Sequence, residues 1–205
     1  MKKINKPSPR SRRIESGTAP DYVRRIVELR SAAQNEAKHI PSSRRLAFRS
    51  LSDEIEIKCF GISDDGIFLK RHTGKGLDIS PKFEIKGLSP KAVSIAITLD
   101  DVEHQVYDTF CHWVIWNLPP KAVIPEGIEK GKAVPSLGGA VQGLACGIHK
   151  YAGPNPPDDT SHKYVFSVYV LDSKLDLSPR SGKKHLLSAM EGHIIQKGQV
   201  SGRFE

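Results

Sequence analysis

Three segments of this sequence gather side chains able to hold or polarise a ligand. In the first, Ile97-Thr98-Leu99-Asp100-Asp101-Val102-Glu103, an apolar run ends abruptly in acids. The second, Cys111-His112-Trp113-Val114-Ile115-Trp116-Asn117, carries a histidine inside a stretch that reads as a buried strand. The third is Gly153-Pro154-Asn155-Pro156-Pro157, followed by Ser161-His162-Lys163-Tyr164. A carboxylate beside a partly buried imidazole favours the imidazolium, so Asp101 is expected to help His112 keep its proton. Such a pair offers donors to an anion and offsets part of its charge. Tyr164 adds a phenolic donor, and backbone N–H groups around 153–155 add more. Prolines stiffen the loop before a ligand arrives, which lowers the ordering cost of binding.

Other chemistries find less support. The sequence has no G-x-S-x-G, no Walker loop and no H-E-x-x-H, and Gly74-Lys75-Gly76 lacks the context of a phosphate loop. The eight histidines show no zinc-ligand spacing, so neither metal nor cofactor is expected. Asp101 and His112 could serve as base and orienter, but no nucleophile accompanies them, and no catalytic residue is assigned. The three cysteines, Cys59, Cys111 and Cys146, are widely spaced without a C-x-x-C. They are expected to be reduced and mostly buried as small apolar residues. The plainer alternatives are a core histidine at 112 bonded to Asp101, and strand-edge packing for His162 and Tyr164. Trp113 and Trp116 read as core, and His149, His185 and His193 as surface or helix positions.

The elements that must position these groups are mostly strands. Ile55, Ile57 and Cys59 alternate with Glu54, Glu56 and Lys58, the period of a half-buried strand. Asp64-Asp65-Gly66 is a turn before Ile67-Phe68-Leu69, and Lys70 to Ser80 reads as loop. Further strands are expected at Phe83–Ile85, Val93–Leu99, Phe110–Leu118 and Tyr164–Leu171, the last buried on both faces. Residues 119–163, rich in Pro and Gly, are expected to hold little regular structure, a common trait of functional loops. Ser178-Pro179 gives a helix start, with the helix expected to run through Leu186, Leu187, Met190 and Ile194 and Gly192 able to bend or end it. Residues 199–204 could close the chain as a short strand.

Charge divides the chain in two. Residues 1–50 hold 13 Lys or Arg against 4 Asp or Glu, whereas residues 51–205 hold 18 against 19. The net charge of +8 therefore belongs to a basic extension, residues 1–50, and not to the main domain, residues 51–205. Its first 17 residues read as disordered. A helix is expected over 20–38, with Tyr22, Ile26, Leu29, Ala33 and Ala37 on one face. Basic arms attract nucleic acid or anionic membrane surfaces, but solvated charge is the commoner outcome. No apolar window approaches about 18 residues, so no transmembrane helix is expected. No signal-peptide core follows the basic N-terminus, which points to the cytoplasm.

Taken in order and spacing, the three segments resemble the phosphatidylethanolamine-binding protein family, which includes the Raf kinase inhibitor protein and bacterial relatives. That family carries D-P-D-A-P at a strand end, then H-W or H-H-F, a G-x-P-P or G-P-x-P-P loop, and H-R-Y. The match covers about Ile55 to Arg203, and Val170-Leu171-Asp172 and Ala189-Met190-Glu191-Gly192-His193 resemble its bacterial branch. It implies an antiparallel β-sheet sandwich with a C-terminal helix, here with an N-terminal helical extension. By position, the resemblance places Asp101, Glu103, His112, Pro154, Pro156, His162 and Tyr164 around a small pocket. That pocket would bind small anions or phospholipid headgroups without catalysis. The resemblance also implies a homodimer, and an alternative role as a regulator of a protein partner such as a kinase. Two departures stand out: both prolines of D-P-D-A-P are missing, and Lys163 replaces an Arg, losing a planar bidentate fork.

Overall fold

The computed structural model describes residues 54–205. The helix expected over 20–38 and the arginine clusters of the basic extension lie outside the described residues. Within them the fold is mostly β, as expected. A small antiparallel sheet holds β1 (Glu56–Cys59), β2 (Phe83–Lys86) and β5 (Val123–Ile124), in the order β1-β2-β5. A larger one holds β3 (Ser94–Asp101), β4 (Phe110–Leu118), β6 (Ala133–Val134), β7 (Ala140–Gln142), β8 (His162–Leu171) and β9 (Ile194–Phe204). Its order is β6-β7-β4-β3-β8-β9. One α-helix is present among the described residues, α1 (Lys183–Ala189).

Every residue of β3 is buried, because β4 and β8 flank it and both of its faces are covered. Two-sided burial removes the polar alternation of a half-buried strand but not the alternation of direction. Ile95, Ile97 and Leu99 point into a core shared with Phe83, Ile85 and Ile124 of the small sheet. Ala96 points the other way, into a second cluster with Leu186 and Met190 around α1. The same sorting sends Trp113 and Ile115 of β4 to the first core, and Val114 and Trp116 to the second. Both tryptophans are fully buried, as expected of core residues. The parity carries through the end of β3, so Asp100 and Asp101 leave on opposite faces.

After the expected turn, Ile67–Leu69 makes only isolated bridges, Ile62 with Phe68 and Ile67 with Arg203. Three expectations change. The helix starts at Lys183, with Gly182 as its N-cap, rather than at Ser178-Pro179. Ser178 instead closes a turn, its carbonyl accepting from Ser181 and its hydroxyl from Arg180. Gly192 (φ +81°) follows the helix, and Ile194 then opens β9 rather than extending α1. That strand runs eleven residues, nearly twice its expected span, because it pairs along the whole of β8. Gly198 inside it is a packing requirement: a Cβ there would come within 2.6 Å of the Ile55 carbonyl. No helix among the described residues is long and apolar enough to cross a membrane.

Candidate ligand-binding site

The cavity opens where β3, β4 and β8 meet the Pro-rich loop. The pairing of β3 with β4 passes from Leu99↔Trp113 to Asp100↔Cys111, so His112 is the extra residue of a β-bulge. A bulge re-aims one side chain, and this one turns the His112 ring toward Tyr164, at 5.3 Å between ring centroids. Asp101 reaches the same space as the last residue of β3, opposite Tyr164 in the register with β8. His162 opens β8 two residues earlier and, by parity, faces the same way as Tyr164.

Asp101, His112, Pro156, His162 and Tyr164 all line one cavity of about 530 Å³. Glu103 and Pro154 do not line it. Glu103 faces outward and takes a two-pronged ion pair from Arg203, at 2.7 and 3.1 Å. Pro154 is buried behind the loop, where its carbonyl accepts from the Gly74 N–H at 2.8 Å.

The expected partner of Asp101 is also different. His162 Nδ1, not His112, donates to Asp101 Oδ2 at 2.7 Å, and Asp101 Oδ1 accepts from the Glu103 N–H at 3.0 Å. His112 Nδ1 and the Tyr164 hydroxyl are buried without a well-aligned hydrogen bond, though Asp101 and the backbone at Asn155 lie near the hydroxyl and the backbone at 152–153 near the imidazole. His112 therefore does not gain the proton that proximity to Asp101 suggested. Burial disfavours its charged form and outweighs the pull of Asp101, so its pKa falls below the ordinary 6.5. Burial, and then the charge of Asp101, push the Tyr164 phenol up, so it remains a donor.

The opposite wall comes from a loop that sequence reasoning left unassigned. Asp78, at φ +54°, accepts from the Gly153 N–H (2.7 Å) through Oδ1 and from Lys150 Nζ (2.6 Å) through Oδ2. Tyr151 donates to the His72 carbonyl at 2.7 Å. Residues 72–78 are thus stitched to 150–154, and a Cβ on Gly153 would lie 2.2 Å from the His72 oxygen. Asp78, Lys150, Gly74 and Phe110 line the cavity but were missed. Asp78 and Lys150 are 72 residues apart, and no local spacing links them. Cys146 lines the cavity too and is exposed, contrary to the expectation for the cysteines. All three cysteines are free, and burial raises the Cys146 thiol above its ordinary pKa.

Comparison with known proteins covers this same region. Residues 62–205 match the family model described as phosphatidylethanolamine-binding protein. A UPF0098 protein of Pyrococcus horikoshii is 38% identical over 156 residues, 75% of this chain and 78% of that protein. A second, from Pyrococcus abyssi, is 41% identical over 144 residues, 69% of this chain and 80% of that one. The crystal structure of a Chlamydia trachomatis homologue titled as a putative phosphatidylethanolamine-binding protein has a TM-score of 0.64 at 29% identity. It covers 75% of this chain and 99% of its own. Escherichia coli YbcL has the same fold, with a TM-score of 0.65 at 22% identity, covering 74% of this chain and 98% of its own.

Proposed function

The chain belongs to the phosphatidylethanolamine-binding protein family, and from that premise we propose that it binds small anionic or phospho-headgroup ligands in the His112–Tyr164 cavity without transforming them. One observation carries the reading. Two buried polar groups, His112 Nδ1 and Tyr164 Oη, belong to residues lining one cavity and make no well-aligned hydrogen bond among the described residues. Leaving such groups unpaired costs about 1–3 kcal/mol each, which a ligand with complementary groups recovers. Both carboxylates of the cavity are already engaged, Asp101 by His162 and Glu103 N–H, and Asp78 by Lys150 and Gly153. In the tautomer with its proton on Nδ1, neutral His112 offers one N–H donor beside the Tyr164 O–H, a pair that suits an oxyanion. The one thiol on the cavity has its pKa raised, by partial burial and then by the charge of Asp78, which argues for binding over nucleophilic chemistry.

Titration with inorganic phosphate or phosphoethanolamine, followed through the His112 ring NMR signals, tests this. A saturable shift is expected, and His112→Ala removes binding while the remaining spectrum stays folded. No shift at millimolar ligand in a folded sample defeats the proposal.

A further inference from the structure

The fixed charges on the cavity do not by themselves favour an anion. Among the described residues two carboxylates, Asp78 and Asp101, line it against one ammonium, Lys150, which Asp78 already holds at 2.6 Å. An anion added to this set raises the local negative charge, in a place where burial weakens the screening by water. Three imidazoles, His104, His112 and His162, line the same cavity, and imidazoles are the groups that change charge near neutral pH. A proton taken up by one of them offsets the charge of the ligand.

Geometry separates the three. His162 Nδ1 is committed to Asp101 at 2.7 Å, so a carboxylate already compensates that ring. His104 Nδ1 accepts from the N–H groups of Val106 and Tyr107, at 3.2 and 3.4 Å, and a proton on that nitrogen breaks both bonds. His112 differs from both. Its Nδ1 makes no well-aligned hydrogen bond, while Asp101 and the backbone at 152–153 lie where they favour the protonated ring. Asp100, on the other face of β3, acts in the same direction and ranks last among these influences. Burial alone opposes the charge, and in the free protein it prevails. The Cys146 thiol and the Tyr164 phenol, the other titratable groups on the cavity, both have raised pKa values and stay neutral.

An anion seated at His112 Nδ1 adds one more negative neighbour and one more acceptor to this balance, and both favour the protonated ring. We propose that the site binds its anion together with a proton on His112, so that acid tightens its hold on the ligand and alkali loosens it. The inference rests on the anion reading of the His112–Tyr164 cavity and adds control by pH to it. By reciprocity, the factor by which the anion favours the proton equals the factor by which the proton favours the anion.

Titration of the His104, His112 and His162 ring NMR signals against pH, on the full chain with and without saturating inorganic phosphate, tests both parts separately. The His112 midpoint rises in phosphate by at least about one pH unit, equivalent to about tenfold tighter binding by the protonated site, while the midpoints of His104 and His162 move less. Phosphate affinity, corrected for the ion's own ionisation, rises between pH 7.5 and 5.5, and the rise persists in His104→Gln. Ring signals that answer to phosphate with an unmoved His112 midpoint overturn the proton link and leave the anion site standing. A lowered midpoint does the same, since the neutral ring is then the preferred donor. A rise confined to His104 or His162, or lost in His104→Gln, also overturns it, because the proton then goes elsewhere. No response of any ring to phosphate across this pH range removes the anion site and its pH control together.

Discussion

Asp100 and Asp101 are adjacent, chemically identical and both buried, yet they live on opposite faces of β3. Asp100 faces α1, where Lys183 Nζ sits 2.8 Å from Oδ1 and the Thr98 hydroxyl donates to Oδ2 at 2.9 Å. Both of its oxygens meet a partner, Oδ2 by a hydrogen bond and Oδ1 by an ion pair without an aligned hydrogen bond, and the pair ties the helix to the sheet. Asp101 faces the cavity, where it holds His162 while His112 Nδ1 and the Tyr164 hydroxyl beside it make no well-aligned hydrogen bond. A one-residue step in a strand thus separates a closed polar cluster from an open one. Closed clusters support the fold, and open ones wait for a ligand.

The largest way to break this contrast is Lys183→Met. It leaves the Asp100 carboxylate buried without its cation, which costs about 2–4 kcal/mol, somewhat less than for a fully buried pair because Lys183 is partly exposed. Urea unfolding at pH 7 reads this as a lower midpoint, while phosphate binding by the folded protein stays within about twofold. Asp101→Asn is expected to do the reverse, with a small stability loss and about tenfold weaker phosphate binding, as His162 loses its anchor. A common effect of both variants on stability and binding would erase the distinction between the two faces.

Tyr164→Phe sharpens the contrast from the open side. Its hydroxyl makes no well-aligned hydrogen bond in the free protein, so removing it should not destabilise the fold. The same change weakens phosphate binding by about fivefold to tenfold. A destabilised Tyr164→Phe protein would mean that the hydroxyl is already satisfied. His112 gives the pH version. Its folded pKa lies below the ordinary 6.5, so the unfolded chain binds the proton more readily. Its contribution therefore favours unfolding progressively as pH falls below about 6.5, and stability recovers as pH rises through that window. Urea midpoints at pH 7.5 and 5.5 should differ less in His112→Gln than in the parent protein.

Much of this was legible before any coordinates. The apolar runs at 93–99, 110–118 and 164–171 announce strands, and the order of the three motif segments points to the family. What stayed hidden depends on geometry. The bulge at His112 is a register slip between two strands, and one strand's sequence does not show it. Asp101 chose His162 over His112 because of which side chains share a face after that slip. The Asp78–Lys150–Gly153 wall joins residues that only the folded loops bring together. The length of β9 was hidden because Ile194 read as a helix position, and Gly198 inside the strand marks a close approach of Ile55.

The smallest expected effect concerns the altered acidic rim. The Arg expected at position 163 is Lys, yet a planar fork is present: Arg203, near the end of β9, grips both oxygens of Glu103 and also donates to the Ser161 carbonyl at 3.1 Å. Glu103 in turn accepts from the Lys163 N–H at 3.1 Å. The clamp ties the segment after β3 to the start of β8, next to Asp101 and His162 but outside the cavity. Arg203 and Glu103 are both exposed, and exposed pairs contribute little and are screened by salt. Arg203→Lys should therefore leave the fold intact and weaken phosphate binding by no more than about threefold. The deficit should shrink further at high salt, where the parent's own ion pair is screened. A tenfold loss that persists in salt would mean that the clamp sets the position of Asp101 outright, and the line between the closed and open clusters would then run through Glu103 rather than between Asp100 and Asp101.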